Sequence, residues 1–273
     1  MSTVRTNPQI GLIVQIVLLA GLAATVGLGV AGWLAGLAYG AVTYLALVRG
    51  LRHAGSDRLG PADWVTMGRG LLVGAVTALI ADALTDGRPA PVALLVAMTA
   101  VALALDAVDG KVARRTGTTS ALGARFDMEV DSFLVLMLSL HVAPSVGAWV
   151  LAIGLMRYVF LVAGWLLPWV NAQLPHRYWR KVVAAVQGVM LAVAAAQVLP
   201  GVLTTVVLVV ALGLLVESFG RDVGWLWRHR QVRPVPAVVV PVVPTMPTVP
   251  IGVRRADRAD ERDLSTAPVL SLR

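Results

Sequence analysis

The sequence contains no cysteine, only four histidines and few charged residues for a chain of 273. The lack of cysteine excludes disulfides, thiol nucleophiles and cysteine-ligated metals, although it does not fix the redox compartment. Charged residues make up 14% of the chain and hydrophobic residues 58%, whereas a soluble domain is about 25% charged. A soluble globule of this length could not cover so much apolar surface. The chain is therefore predicted to be an integral membrane protein.

Long uncharged runs predict the membrane spans. No charged residue lies between Arg5 and Arg49, a run about twice as long as one helix needs to cross the hydrocarbon core. We expect this run to fold back near 27–32. Every apolar stretch must be helical, because lipid offers no partner to free backbone groups. The sequence predicts an all-α protein with eight spans: about 10–28, 31–48, 69–85, 90–108, 122–141, 146–167, and two within 182–216 that separate at Pro200.

Basic residues predict the orientation. The net charge is +8, and the basic loops at 49–58, 111–125 and 177–181 alternate with nearly uncharged turns. The positive-inside rule places these loops and both termini in the cytoplasm, as in a multi-pass protein of the plasma membrane. The basic excess indicates topology and contact with anionic membrane lipid rather than binding to nucleic acid. The abundance of Ala, Val, Leu, Gly and Arg is typical of a high-GC bacterium.

The chain divides into three predicted parts. Residues 1–58 form a transmembrane hairpin with a basic loop, and residues 59–222 form a six-helix core. A short interfacial helix, from Pro61 to Arg69, opens this core, and a turn at 143–145 separates its third and fourth spans. The tail, 223–273, is Val-rich, but the six prolines between 234 and 250 would break a helix. We therefore expect the tail to be extended or disordered.

An acidic cluster lies between two of the predicted spans. Asp106 and Asp109 share a face at the end of one helix, and Asp127 and Asp131 share a face near the start of the next. Because the two helices run antiparallel, the four carboxylates can converge at the cytoplasmic end of the bundle. Such carboxylates repel each other, so a cation must offset them. Oxygen-only ligands favour Mg²⁺ or Mn²⁺, and the lack of nearby histidine or cysteine disfavours zinc.

The loop between the two acidic pairs carries small and basic residues. Gly110, Ala113 and Gly123 would let a ligand approach the backbone, and Arg114 offers planar donors to phosphate oxygens. Carboxylates with divalent ions inside a membrane indicate phosphate chemistry on a lipid, in which a pair of ions holds the attacking and leaving oxygens. The alternative is that the aspartates cap helices and pair with the basic residues of this loop.

The stretch from Asp106 to Asp131 reads D-x2-D-G-x2-A-R-x8-G-x3-D-x3-D. It resembles the signature of the class I CDP-alcohol phosphotransferase (CDP-alcohol phosphatidyltransferase) family, with no motif position missing. The upstream segment PADWVTMGR resembles the short interfacial helix of that family, with Thr66 and Arg69 at the positions usually kept. The resemblance covers about residues 61–222 and implies the six-helix core. We also expect a homodimer.

The resemblance implies a reaction of phospholipid biosynthesis. The hydroxyl of a small alcohol or lipid acceptor attacks the β-phosphorus of a CDP-linked lipid, usually CDP-diacylglycerol, and CMP leaves. The resemblance implies that Asp131 is the general base and that two Mg²⁺ or Mn²⁺ ions are bound by four residues: Asp106, Asp109, Asp127 and Asp131. It implies that the cytidine and the pyrophosphate are bound by five others: Thr66, Gly110, Ala113, Arg114 and Gly123.

Two other classes of function stay open. An aspartate-rich membrane prenyltransferase would release inorganic diphosphate rather than CMP, and a non-enzymatic transporter would carry its acids near mid-membrane. Arg157 lies in the middle of a predicted span, so we expect it either to bind an anionic group or to pair with Asp82, Glu217 or the acidic cluster. The residues Arg177, Arg180 and Lys181 follow the positive-inside rule, and the alternative is that they face an anionic acceptor.

Overall fold

The computed structural model describes residues 9–54, 61–87, 89–116, 121–172, 174–175 and 177–230. Over these residues the protein is helical and contains no strand. Residues 55–60, in the predicted basic loop, and 231–273, most of the predicted tail, lie outside the described residues. The prediction of a tail that starts at 223 is wrong, because α8 continues to His229. Two short 3₁₀ helices, Ala148–Val150 and Pro168–Asn171, flank the sixth α-helix. The eight α-helices are α1 (Gln9–Val26), α2 (Val30–Ala54), α3 (Pro61–Asp86), α4 (Val92–Thr116), α5 (Ala121–Val146), α6 (Leu151–Leu166), α7 (Tyr178–Ala195) and α8 (Gly201–His229).

Five of the described helical segments are long and apolar enough to cross a membrane: Val30–Gly50, Val65–Asp86, Gly123–Val146, Ala148–Leu166 and Gly201–His229. Helices α1 and α4 carry shorter apolar stretches. The prediction of an all-helical membrane protein is therefore confirmed. The number of spans and the cytoplasmic position of the termini stay predictions.

The turn between α1 and α2 falls where the sequence predicts it. Helix α1 ends at Val26 and α2 begins at Val30. Between them Gly27 has a φ of 76°, a conformation that glycine adopts without steric cost. The hairpin predicted from the uncharged run is therefore present.

Several predicted boundaries differ from the structure. Helices α2, α4 and α8 continue past the predicted ends at 48, 108 and 216. The stretch predicted as an interfacial helix is the first part of α3, which runs unbroken from Pro61 because no further proline follows in it. Helix α5 does not end before Pro144 but continues to Val146. A proline in the last turn removes only one hydrogen bond of the helix, so α5 can include Pro144. The chain turns at Gly147, where φ is 118°.

Helix α3 is the central element, and the α1–α2 hairpin packs on it through glycines. A Cβ on Gly32 of α2 would lie 2.9 Å from the carbonyl oxygen of Ala78 in α3. A Cβ on Gly36 would lie 2.7 Å from the side chain of Leu19 and 3.2 Å from that of Ala78. Small residues allow helix backbones to approach this closely. The hairpin is therefore held against α3 by close contact along α2.

A hydrogen bond fixes one end of the hairpin. The backbone N–H of Gly29 donates to Oδ1 of Asp82 at 2.9 Å. The aspartate thereby satisfies a donor at the start of α2 that no helical carbonyl can reach. Because Asp82 lies near the C-terminal end of α3, the α1–α2 turn sits at that end of α3. The other end of the hairpin reaches the N-terminal part of α3, where a Cβ on Gly11 of α1 would lie 3.2 Å from Sδ of Met67.

The remaining helices pack around α5, which contacts α3, α6 and α7. Helix α7 pairs with α8, where the buried Gln187 donates from Nε2 to the carbonyl oxygen of Ala211 at 2.8 Å. Leu138, Leu191 and Leu208 are fully buried and belong to one apolar core that these helices share. This packing holds the start of α5 beside α3 and α4.

We expect Gly32→Ala to destabilise the protein by about 1–3 kcal/mol, as overpacking generally does. The carbonyl of Ala78 belongs to a helix backbone and cannot move aside for the added methyl group. Gly21→Ala in α1 is the matched control, because a Cβ there meets nothing within 4 Å. Thermal unfolding of the purified chain in detergent measures both variants. Equal melting temperatures would contradict the close packing of α2 on α3.

Candidate functional site

A buried arginine marks the end of α3 opposite the α1–α2 turn. Arg69 is only 1% exposed, and a charge in such a place is costly unless it is paired. Its Nη1 lies 3.0 Å from Oδ1 of Asp106 and also contacts Oδ1 of Asp127, while its Nη2 contacts Oδ1 of Asp131. One guanidinium thus joins carboxylates from α4 and α5 to α3.

The three aspartates form an open acidic cluster. Asp127 and Asp131 share one face of α5, as residues four apart do, and Asp106 faces them from α4. One carboxylate oxygen of each residue lies within 4.8 Å of those of the other two. The aspartate side chains are 36–42% exposed, whereas the side chain of Arg69 is 2% exposed. The carboxylates therefore line the accessible side of the cluster, and the guanidinium forms its floor.

The charge and the ligand chemistry of the cluster fit a divalent cation. Among these four side chains, three carboxyl groups face one guanidinium, so acidic groups outnumber the basic one. Their donors are all oxygens, which Mg²⁺ and Mn²⁺ prefer. Over the described part of the chain, this is the one group of three acidic or histidine side chains close enough to share an ion. The aspartates could therefore hold the metal that the sequence predicts.

The structure brings together three of the four predicted metal ligands: Asp106, Asp127 and Asp131. The fourth, Asp109, lies on α4 three residues after Asp106, but its side chain is outside the described residues. Glu129, which lies two residues from both Asp127 and Asp131, takes no part in the cluster. Residues two apart lie on roughly opposite faces of a helix, which accounts for this arrangement.

The predicted nucleotide-binding residues lie on the same three helices. Thr66 is 3% exposed and precedes Arg69 by one turn of α3. Gly123 lies in the first turn of α5 and is half-buried. The other three occupy the last part of α4, where side chains are outside the described residues: Gly110, Ala113 and Arg114. All five residues are thus carried by the helices that form the acidic cluster.

The sequence reasoning gave Arg69 no role in the cluster. It placed Arg69 at the start of a predicted span, where an arginine is usually interfacial and uninformative. A signal was nevertheless present, because Arg69 is the one basic residue between Arg58 and Arg88 and lies in a long apolar helix. An arginine within such a helix is a functional candidate by default.

Arg157 of α6 pairs with Glu129 of α5. Its Nη2 contacts Oε1 of Glu129, and its Nη1 lies 2.7 Å from Sδ of Met128. Two of the predicted partners are engaged elsewhere: Asp82 with Gly29, and Glu217 with Trp179 and Arg221. The partner of Arg157 therefore belongs to the acidic stretch at 106–131 but not to the cluster around Arg69.

The basic residues at the start of α7 are only partly engaged in packing. Arg180 approaches the buried Asp222 of α8, with 3.6 Å between Nε and Oδ2. Arg177 lines an open cleft beside α8 together with Arg221 and Arg228. The cleft thus presents several guanidinium groups to the surroundings.

The fold and the acidic cluster define a helical membrane protein with a carboxylate centre suited to a divalent ion. The sequence model of the CDP-alcohol phosphatidyltransferase family matches residues 60–216, which is more than half of the chain. The chain therefore belongs to the CDP-alcohol phosphatidyltransferase family, as the resemblance predicts. No curated protein and no solved structure matches it. The match begins at α3, so the α1–α2 hairpin lies outside it.

We expect the contact between Arg157 and Glu129 to appear in a double-mutant cycle. Arg157→Gln and Glu129→Gln together should cost less stability than the sum of the two changes, with a coupling of about 0.5 kcal/mol or more. Thermal unfolding in detergent gives the four stabilities. A cycle of Arg157→Gln with Asp127→Asn is the control and should be additive, because Asp127 pairs with Arg69. Additivity in both cycles would contradict the pairing.

Proposed function

We propose that this protein transfers a phosphatidyl group from a CDP-linked lipid, with CDP-diacylglycerol as the expected donor, to an alcohol and releases CMP. Members of the family are transferases of substituted phosphate groups. The observation that carries the proposal is the cluster of Asp106, Asp127 and Asp131. It lies on α4 and α5 within the part of the chain that the family model matches.

The metal ligands in this proposal are Asp106, Asp109, Asp127 and Asp131, and two Mg²⁺ or Mn²⁺ ions are expected. When bound, such ions neutralise a diphosphate and the negative charge that develops on a departing CMP. The exposure of the three described carboxylates on one side of the cluster supports this role. The contacts with Arg69 fix the positions of these carboxylates, and phosphoryl transfer depends mainly on positioning and electrostatics.

Asp131 is the proposed general base. It accepts the proton of the acceptor hydroxyl while the hydroxyl oxygen bonds to the β-phosphorus of the donor. The bond from that phosphorus to the oxygen bridging to CMP then breaks, and the electron pair leaves with CMP. Asp131 is 40% exposed and contacts Arg69 through Oδ1, so its carboxylate is both accessible and held in place.

The proposed nucleotide site surrounds the same cluster. Thr66 and Gly123, with Gly110, Ala113 and Arg114, would bind the cytidine and the pyrophosphate. The position of Gly123 in the first turn of α5 supports this, because the N-terminal end of a helix attracts phosphate. Thr66 is buried one turn before Arg69 in α3, so its hydroxyl lies at the end of α3 that carries Arg69.

The acceptor and the cellular setting belong to the same proposal. We expect a small alcohol or a lipid as acceptor, in phospholipid biosynthesis, with the site facing the cytoplasm of a bacterial cell and the protein acting as a homodimer. Arg177 and Arg228 line one cleft, in which Glu217 pairs with Arg221, and the excess of basic residues there favours an anionic or phosphorylated acceptor.

Labelled CDP-diacylglycerol given to the purified protein with a panel of alcohols tests the reaction. We expect a labelled phospholipid and CMP with Mg²⁺ or Mn²⁺, no turnover after EDTA, and recovery when the metal is restored. Transfer that persists after EDTA would contradict the metal site. Release of inorganic diphosphate from a prenyl donor, without release of CMP, would instead indicate a prenyltransferase.

We expect Asp131→Asn to lower transfer by about 10²–10⁴-fold, because an amide cannot accept the proton. Binding of the CDP-lipid should change little, since the amide keeps the size of the side chain. The control is Glu129→Gln, which removes a carboxylate two residues away on another face of α5 and should retain transfer. The rate of CMP release and the Kd for CDP-diacylglycerol measure the two effects. Wild-type turnover by Asp131→Asn would exclude Asp131 as the base.

A further inference from the structure

The guanidinium of Arg69 is a cation at the centre of the acidic cluster. Oxygen atoms of Asp106, Asp127 and Asp131 lie within 4.8 Å of one another, and ionised carboxylates at such distances repel. Arg69 contacts one oxygen of each of them. Its planar fork of donors suits several carboxylates at once, which a lysine ammonium matches less well. The guanidinium thus offsets the repulsion between these aspartates, as a bound metal ion would.

A divalent ion bound by the same aspartates would share them with Arg69. The side chain of Arg69 is 2% exposed, so it cannot turn into solvent without repacking α3 against its neighbours. Its positive charge must therefore remain beside any ion that the carboxylates bind. Like charges in a half-buried place repel more strongly than in water, so the guanidinium and the ion work against each other.

We propose that Arg69 is the built-in counter-cation of this site: it holds the three aspartates together before an ion binds, and it lowers the affinity for that ion. This inference rests on the metal site of the proposed function. Arg69 acts through the aspartates and is a positioning residue. Repulsion between its charge and the bound ion makes the free energy of metal binding less favourable.

The test compares Arg69→Gln with the wild-type full chain, purified in lipid nanodiscs and freed of metal with a chelator. The affinity for Mn²⁺ is measured from the electron paramagnetic resonance signal of the free ion. Melting temperatures with and without Mn²⁺ are measured from tryptophan fluorescence. We expect Arg69→Gln to bind Mn²⁺ about tenfold more tightly, which is about 1.4 kcal/mol of binding free energy. Its melting temperature without metal should fall, and Mn²⁺ should raise that temperature more than in the wild type.

Two further variants separate charge from packing. Arg69→Lys keeps the charge but loses the planar fork, so its Mn²⁺ affinity should stay near that of the wild type while its metal-free melting temperature falls. Arg157→Gln removes an arginine that pairs with Glu129 outside the cluster, and it should leave Mn²⁺ affinity unchanged. If Arg69→Gln does not fold, Arg69→Lys decides. A Lys variant with the wild-type melting temperature, measured without metal, would overturn the inference.

The outcomes distinguish this inference from the proposed function. Wild-type protein that binds Mn²⁺, with a folded Arg69→Gln variant that binds it equally or more weakly, would overturn the role of Arg69 and leave the metal site standing. If neither the wild-type protein nor a folded Arg69→Gln variant binds Mn²⁺, both are overturned. Tighter binding in Arg69→Gln, with Arg157→Gln unchanged, would support both.

Discussion

The pairing of one buried guanidinium with three carboxylates is the interaction on which the site depends. Arg69 is almost completely buried, and its partners come from α4 and α5. Neither the cation nor the three anions could be kept at this place alone, because a lone buried charge is costly and clustered anions repel. Together they tie the ends of three helices into one position. The same pairing leaves a negative excess on the exposed side, where a divalent ion and a phosphate ligand can approach.

Helix α3 connects this site to a part of the chain that the family model does not match. Its N-terminal half carries Thr66 and Arg69, while the carboxylate of Asp82 near its other end accepts a hydrogen bond from Gly29 of the hairpin. The ring of Tyr39 on α2 also stacks on that of Phe133, two residues after Asp131, with 5.0 Å between centroids. The hairpin therefore supports both α3 and α5, so it takes part in positioning the site.

The helices could be predicted from the sequence, but some of their ends could not. Uncharged runs and glycines gave the α1–α2 turn correctly because hydropathy and glycine conformations act locally. The break expected at Arg69 is absent from α3, and α5 extends past Pro144. A proline removes one backbone hydrogen bond of a helix but does not by itself fix the residue at which the helix ends. Helix α5 therefore ends just before the next residue that can reverse the chain direction, which is Gly147.

The sequence predicts those features of the site that depend only on the spacing of residues within one helix. Residues four apart share a face, which placed Asp127 and Asp131 together and Glu129 apart from them. Contacts between helices follow no such rule. Several acids lie within reach of a given arginine until the rotation of each helix about its axis and its position along the bundle are known. Arg157 and Arg69 are both arginines in apolar helices, yet one pairs with Glu129 and the other holds three aspartates. The division of the acids between the two arginines is a property of the packed helices, and it separates a carboxylate cluster that could hold a metal ion from an ion pair between α5 and α6.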